Sequence, residues 1–401
     1  MKTPTPRRAA ALAMILCLGA AGCQRIVDRI RDETRDRDPP PATQTPPTNT
    51  PTNTPTNNNP NNNPQIQIPG LGQLPIPFPI GNPPGGTNNN GSPNAPVDYA
   101  SIAPAPAGSY DNTGTMTQAF LRQETFQVFS ELVQNLSAED RAKIQGIPLR
   151  VAESPREVNA AAGCTRGRRA FMLITSALLT LSGAAAEAKA YDDLSGQRVQ
   201  EQYYTNTATN VRRQQPVQGL GPGVIPMPLA LDARKLARQR LLFDEQVGFV
   251  LGHELAHHYR GHTGCANGTP ASDQEVTPEE VVRVLSNTVP LFNQPLELES
   301  DTWGVTNVLD AGSRRQGGRW NEEGALMSLD FFGHLTRLGV DTLLLGIMRT
   351  HPPPALRIPW VQAAANNWRN NIRPQAGTIP GLPIPIPLPQ GFPIQLPAPP
   401  R

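Results

Sequence analysis

The sequence is poor in the residues that build large hydrophobic cores and membrane spans. Aromatic residues make up 5% of its 401 positions, and hydrophobic residues of all kinds make up 38%. After residue 23 no apolar run reaches the roughly 18 residues of a membrane span, so we expect neither a transmembrane transporter nor a channel. No charge is in large excess, since 35 basic and 33 acidic residues leave a net charge of +2. Without a concentrated basic stripe, we expect no nucleic-acid partner.

Proline is the residue in excess, and its distribution divides the chain. Of 45 prolines, 19 lie in residues 24–108 and ten in residues 373–401. Proline removes backbone donors and interrupts regular elements, and the surrounding Asn and Thr bury too little apolar area to offset the entropy of ordering. We therefore predict a disordered tether at 23–108 and a proline-rich tail at 373–401. Residues 109–372 remain, enough for one sizeable domain or two small ones.

Residues 1–22 have the order of a secretory signal peptide, a positive start followed by a short stretch of small and apolar residues. Small residues immediately before Cys23 resemble the bacterial lipobox, although Ala20 stands where leucine is usual. The resemblance implies that Cys23 carries lipid and anchors the protein to a membrane; the alternative is ordinary secretion with a chance cysteine. Gln24, in place of Asp, favours the outer membrane, facing the periplasm, by analogy with enteric bacteria.

Apolar residues at helical spacing dominate residues 109–372, and few short apolar runs have the character of strands. The pattern predicts strands at 148–152 and 169–175. It predicts helices at 116–136, from Ser137 onward, and at 175–194, 232–262, 278–286, 296–309 and within 321–346. Residues 195–230 are polar and rich in proline, and we expect an irregular insertion there. The predicted fold class is mainly α with a small β-sheet, that is, α+β.

Four of the six histidines fall within ten residues, in and just after His253-Glu254-Leu255-Ala256-His257. His253 and His257 are four apart, so both rings project from one face of the predicted helix. That spacing suits two imidazole ligands on one zinc ion. Glu254 is rotated by about 100° from His253, beside the metal, where its carboxylate can accept a proton from zinc-bound water. The alternative is a polar helix whose histidines are merely solvated or satisfied in the core.

A two-histidine zinc site needs a third protein ligand, and the chain offers one forty residues after His257. Glu297 and Asp301 are four apart, hence on one face of a predicted helix that would cross near the first. We predict that Glu297 binds the metal and that Asp301 hydrogen-bonds a ligand histidine and fixes its tautomer. Glu299 is expected to point elsewhere. The alternatives are Glu299 as the ligand, or Glu297 as a solvated charge.

Four blocks of the chain occur in the order of a known enzyme family. They are Val158-Asn159-Ala160 ahead of a strand, Val250 to His262 around the histidines, Glu297 to Asp301, and Thr350-His351-Pro352-Pro353 followed by Arg357-Ile358. Together they resemble the HtpX/BepA/Oma-like zinc metallopeptidases, metallopeptidase family forty-eight of the gluzincin type, over about residues 115–370. The resemblance implies a zincin-like metallopeptidase domain with one Zn²⁺. The chain departs from the family in having no transmembrane region and in the small residues at 160–164.

The resemblance also implies roles for residues outside the metal ligands. His351 would stabilise the oxyanion of the tetrahedral intermediate, and Arg357 would orient it or bind substrate backbone. The segment that contains Phe171 and Leu173 would be the edge strand that pairs with an extended substrate. Glu254 would take a proton from the attacking water and pass it to the leaving amine.

A disulfide is implied in the same way. Cys164 precedes the expected edge strand and Cys265 follows the zinc helix, two places that the family brings near each other. An exported protein also sits in an oxidising compartment, so we expect a Cys164–Cys265 disulfide. The alternatives are two free buried thiols, or metal ligation by Cys265.

The resulting hypothesis is a zinc endopeptidase that hydrolyses peptide bonds of unfolded or misassembled envelope polypeptides, with protein quality control as the implied role. The alternative is a zinc-stabilised binding or chaperone lipoprotein with weak or gated proteolysis, in which residues 195–230 or the tail would cover the cleft. A third hypothesis, a structural envelope tether, leaves the histidine and acidic blocks unexplained.

Overall fold

The structure, a computed structural model, describes the greater part of the predicted folded region. It covers residues 67–68, 72–73, 97–265, 270–272, 274–286, 294–315, 318–337 and 353–375. The predicted signal peptide, Cys23 and His351 lie outside the described residues, as do the tail beyond residue 375 and most of the tether.

The chain divides into two units, Met1–Leu74 and Pro75–Arg401. In the first, the two-residue strands β1 (Gln67–Ile68) and β2 (Gly72–Gln73) pair antiparallel. All other described elements belong to the second unit.

Three short strands of the second unit form one sheet. They are β3 (Leu149–Ala152), β4 (Ala160–Cys164) and β5 (Ala170–Thr175). The order across the sheet is β3-β5-β4, with β3 parallel to β5 and β4 antiparallel to it. All six residues of β5 are buried, as expected for a continuous apolar run covered on both faces.

The position of β5 corrects one prediction. Phe171 and Leu173 lie on the central strand, which has β3 on one side and β4 on the other and so offers no edge to a substrate. The edge strand next to β5, on the side opposite β3, is β4. Its small residues show almost no apolar pattern. It was therefore not predicted as a strand.

Helices make up most of the described residues of the second unit. The described helices are α1 (Gln118–Asn135), α2 (Ala138–Ile144), α3 (Ser176–Ser195), α4 (Val199–Arg212), α5 (Met227–Ala230), α6 (Ala233–Tyr259), α7 (Pro278–Ser286), α8 (Gln294–Arg314), α9 (Glu323–Arg337) and α10 (Pro354–Arg369). Together with the small sheet they confirm the predicted class, mainly α with a minor β component. Among the described residues, no helix has the length and apolar character needed to cross a lipid bilayer.

The central element is α6, a 27-residue helix that begins after Asp232, whose side chain accepts a hydrogen bond from the Arg234 backbone N–H. It packs against α1, α3, α8 and α9. Most of its residues are buried, including charged ones near its start. These charges are paired: Lys235 lies 2.8 Å from Glu187, and Arg240 lies 2.6 Å from Glu124. Burial of such pairs is tolerated because each charge retains its partner.

Two boundaries differ from the prediction. Residues 195–230 contain α4, because Tyr203, Thr207 and Val211 recur at helical spacing and are buried. The prolines that follow α4 in the sequence led to the prediction of an irregular segment. The folded unit also starts before residue 109, since Ile102 belongs to the main hydrophobic core. Composition alone placed that residue in the tether.

Candidate metal centre

The candidate metal ligands come from α6 and α8, which approach each other closely at two glycines. A Cβ atom added to Gly304 would lie 2.8 Å from the backbone nitrogen of His253, and one added to Gly252 would lie 3.0 Å from the Gly304 carbonyl oxygen. No side chain fits between the two backbones at this point. The crossing therefore sets the acidic face of α8 against the histidine face of α6.

Three side chains meet at this crossing. The Nε2 atoms of His253 and His257 lie 3.1 Å apart. Glu297 places one carboxylate oxygen 3.3 Å from the first of these nitrogens and the other oxygen 3.4 Å from the second. All three side chains offer a ligand atom within 4.8 Å of the others. The structure thus brings together the three residues predicted as ligands.

Asp301 holds the ring of His253. Its Oδ1 lies 2.9 Å from Nδ1 of His253, and the aspartate is fully buried. Burial raises the pKa of Asp301, but the adjacent Arg357 guanidinium and the hydrogen bonds outweigh it and lower the pKa to about 2. The ionised carboxylate accepts the Nδ1–H of His253, so Nε2, which faces Glu297 and His257, is the nitrogen that can bind a metal.

Arg357 forms an ion pair with Asp301. Its Nε and Nη2 donate to the two oxygens of Asp301, at 2.8 and 2.6 Å, and the side chain is buried. A bidentate ion pair of this kind fixes the carboxylate in one orientation. The contact that the structure shows for Arg357 is this one, which orients Asp301. Its role toward the oxyanion or the substrate backbone stays a prediction. His351, its predicted companion, lies outside the described residues.

A second chain of contacts, which the sequence did not predict, supports His257. Its Nδ1 lies 3.2 Å from Nδ1 of His262, whose Nε2 lies 3.2 Å from Oε2 of Glu299. Arg260 donates from Nε to the other oxygen of Glu299 at 3.1 Å. Glu299 thus points away from the metal ligands, as expected, but toward His262. The spacing of His262, five residues after His257, was the available signal.

Glu254 lies beside the ligand set, against the edge strand. Its Oε2 accepts a hydrogen bond of 2.7 Å from the backbone N–H of Ala162 on β4. Glu254 is 5% exposed, so this contact sets the direction of a largely enclosed carboxylate. The structure therefore positions the predicted general base by the backbone of the strand next to it.

The end of β4 is fastened to the segment after α6. Cys164 and Cys265 are joined by a disulfide, with sulfur atoms 2.06 Å apart and Cα atoms 5.5 Å apart. Next to it, His258 donates from Nε2 to the backbone oxygen of Phe171 at 3.0 Å. Burial lowers the pKa of His258 to about 4, which keeps this ring neutral at pH 7.

The donor set matches the preferences of zinc. Two imidazole nitrogens and one carboxylate are its usual ligands where a fourth position is left open. The second nitrogen of each histidine is already engaged, which is typical of metal-ligating histidines. In the absence of metal, burial lowers the pKa of His253, but hydrogen bonds to Asp301 and Glu297 outweigh it and raise the pKa to about 9. The carboxylates of Asp301 and Glu297 thus favour a positive charge at this point.

Comparisons with protein-family models, with curated proteins and with solved structures found no match to this chain.

Proposed function

We propose that the protein is a zinc-dependent endopeptidase with a zincin-like domain of the HtpX/BepA/Oma-like type. The observation that carries the proposal is the convergence of His253, His257 and Glu297, with Glu254 held beside them by a strand edge. A structural zinc site would have four protein ligands and no need of an adjacent carboxylate base. The three-ligand set and the buried base together favour catalysis.

The chemistry divides among these residues. His253, His257 and Glu297 would hold one Zn²⁺, which supplies a Lewis acid and a water whose pKa is lowered to about 7. Glu254 takes the proton of the attacking water and delivers it to the leaving amine. Since Oε2 of Glu254 is engaged by Ala162, we assign this proton transfer to Oε1.

We assign substrate binding to the outer edge of β4, the edge that faces away from β5. Ala162 directs its N–H away from β5, toward Glu254. Alternate residues of a strand share one direction, so the backbone groups of Ala160 face the same side. The carbonyl of Cys164 also faces outward but already accepts a hydrogen bond from Arg283, so we assign peptide pairing to the part of the edge nearer Ala160. An extended peptide would add to this edge by strand addition, which favours unfolded polypeptides as substrates.

The proposed place of action rests on the resemblance of the first residues of the chain to a lipoprotein signal. Lipidation at Cys23 would anchor the protein to the bacterial envelope, with the outer membrane facing the periplasm as the proposed site. Unfolded or misassembled envelope polypeptides are then the proposed substrates, and protein quality control the proposed role.

The deciding experiment compares the full wild-type chain with Glu254→Gln for bound zinc and for cleavage of unfolded casein. Glutamine keeps an oxygen that can accept from Ala162 but cannot act as a base. We expect both proteins to bind zinc and the variant to lose at least about 100-fold in cleavage rate. Glu139→Gln, which changes an exposed glutamate on α2, is the matched control and should cleave like wild type.

The other outcomes point elsewhere. If both proteins bind zinc and neither cleaves casein, the alternative of a zinc-stabilised binding lipoprotein is favoured. If the wild type binds no zinc, the assignment of His253, His257 and Glu297 is wrong, and the peptidase proposal fails with it.

A further inference from the structure

A second group of metal-ligand residues lies between α4 and α9. Glu201 stands on α4, whereas Asp330 and His334 stand one turn apart on α9 and share one of its faces. One ligand atom from each lies within 4.8 Å of the other two. Nε2 of His334 is 3.6 Å from Oε2 of Glu201 and 3.9 Å from Oδ2 of Asp330.

His334 is the buried member of this group. The residue is 6% exposed, and its ring packs edge-on against Tyr204 with centroids 5.6 Å apart. Its Nε2 is buried and, within the described part of the chain, has no hydrogen-bond partner. Both carboxylates lie beyond hydrogen-bond distance of it. A buried polar atom in this state is costly, and a cation held by all three side chains would satisfy it.

The chemistry of the group indicates which cation fits. One imidazole nitrogen with two carboxylates suits Zn²⁺ and similar divalent transition metals, whereas Mg²⁺ and Ca²⁺ prefer oxygen ligands alone. The side chains of Glu201 and Asp330 are 58% and 43% exposed. An ion can therefore reach the buried nitrogen of His334 from the solvent side.

We propose that Glu201, Asp330 and His334 form a second binding site for a divalent transition-metal ion such as zinc, which joins α4 to α9. The site uses no residue of the candidate metal centre on α6 and α8. Its existence is therefore independent of the proposed peptidase activity.

The test counts zinc ions bound per chain after the purified full chain is equilibrated with zinc and the excess is removed. We expect two in wild type and one in the Glu201→Gln/Asp330→Asn double variant. Both replaced side chains are substantially exposed, so the fold should persist, which circular dichroism checks. The matched control, Glu139→Gln/Glu153→Gln, changes two exposed carboxylates elsewhere and should keep two ions.

The result separates this proposal from the first one. If the wild type and the double variant both bind one ion, the second site is refuted and the candidate centre stands. If the wild type binds one and the double variant none, the second site stands and the candidate centre fails. If the control variant also loses an ion, the extra zinc is non-specific surface binding, and the proposal of a second site is overturned.

Discussion

The two candidate ligand histidines are held by side chains of different kinds. His253 is held by Asp301, which is held in turn by a bidentate ion pair with Arg357. His257 is held by His262 and Glu299. The contacts of His257 have one consistent proton arrangement: His257 donates from Nδ1 to His262, and His262 donates from Nε2 to Glu299. That arrangement leaves Nε2 of His257 as a lone pair for a metal.

Glu297 and Glu299 provide a direct test of this arrangement. Glu297→Gln removes a proposed ligand and should abolish tight zinc binding at the centre on α6 and α8. Glu299→Gln removes only the support of His262 and should weaken zinc binding by about 10- to 100-fold. Titration against a zinc chelator measures both dissociation constants. If zinc binding at this centre survives in Glu297→Gln but is abolished in Glu299→Gln, Glu299 is the metal ligand and Glu297 is not.

His258 predicts a pH dependence of stability. Its pKa is lowered by burial to about 4, against about 6.5 in an unfolded chain. Between these values the unfolded state binds more protons, so the contribution of His258 is complete above pH 6.5 and is lost as the pH falls toward 4. The loss amounts to about 3 kcal/mol in the free energy of unfolding.

Urea denaturation of wild type and His258→Gln between pH 4 and 7 measures this contribution. Glutamine can still donate to the Phe171 carbonyl but does not titrate. The free energy of unfolding should therefore fall less steeply with acid in the variant than in wild type. Parallel curves for the two proteins would assign the acid sensitivity to other groups.

Between elements, the crossing of α6 and α8 decides whether the ligands meet. Gly304→Ala places a methyl group 2.8 Å from the His253 backbone nitrogen and must push the helices apart. We expect it to destabilise the protein by about 1–3 kcal/mol and to weaken zinc binding. The matched control is Gly248→Ala on α6, where the nearest side-chain atom is 3.5 Å away.

Helix propensity alone would favour alanine at both positions by up to about 1 kcal/mol. Gly248→Ala should therefore be neutral or stabilising and should bind zinc like wild type. Thermal melting and chelator titration measure the two effects. Equal behaviour of the two variants would show that the crossing tolerates a methyl group and that contact at Gly304 does not position the ligands.

At the scale of the whole molecule, a metal bound across α6 and α8 would link two of the longest helices of the folded unit. A ligand at 1,000 times its dissociation constant stabilises the folded state by about 4 kcal/mol. For a unit of this size we expect removal of zinc by EDTA to lower the melting temperature by about 10 °C. Differential scanning calorimetry with and without EDTA tests this.

The Glu297→Gln variant is the control for that measurement. It should melt below wild type in the presence of zinc and should respond much less to EDTA. A wild type whose melting temperature is unchanged by EDTA would contradict metal binding at this centre.

Local spacing in the sequence was sufficient to name the residues that converge at the site. His253, Glu254 and His257 are ordered by the pitch of one helix, and Glu297 and Asp301 by the pitch of another. The mainly helical class followed in the same way, because apolar periodicity is a property of short windows. The prediction extended to α1, α3, α6 and α8, with ends that differ from the structure by a few residues.

Contacts between distant segments could not be predicted from short windows of the sequence. The order β3-β5-β4 depends on which strands exchange backbone hydrogen bonds, and those bonds carry no side-chain signature. The edge role of β5 was an implication of the family resemblance, and β4 was missed because its small residues show almost no apolar pattern. The contact of Arg357 with Asp301, and that of Glu299 with His262, arise from the packing of separate elements. Spacing along one helix fixes which side chains share a face, whereas packing between elements fixes what that face meets.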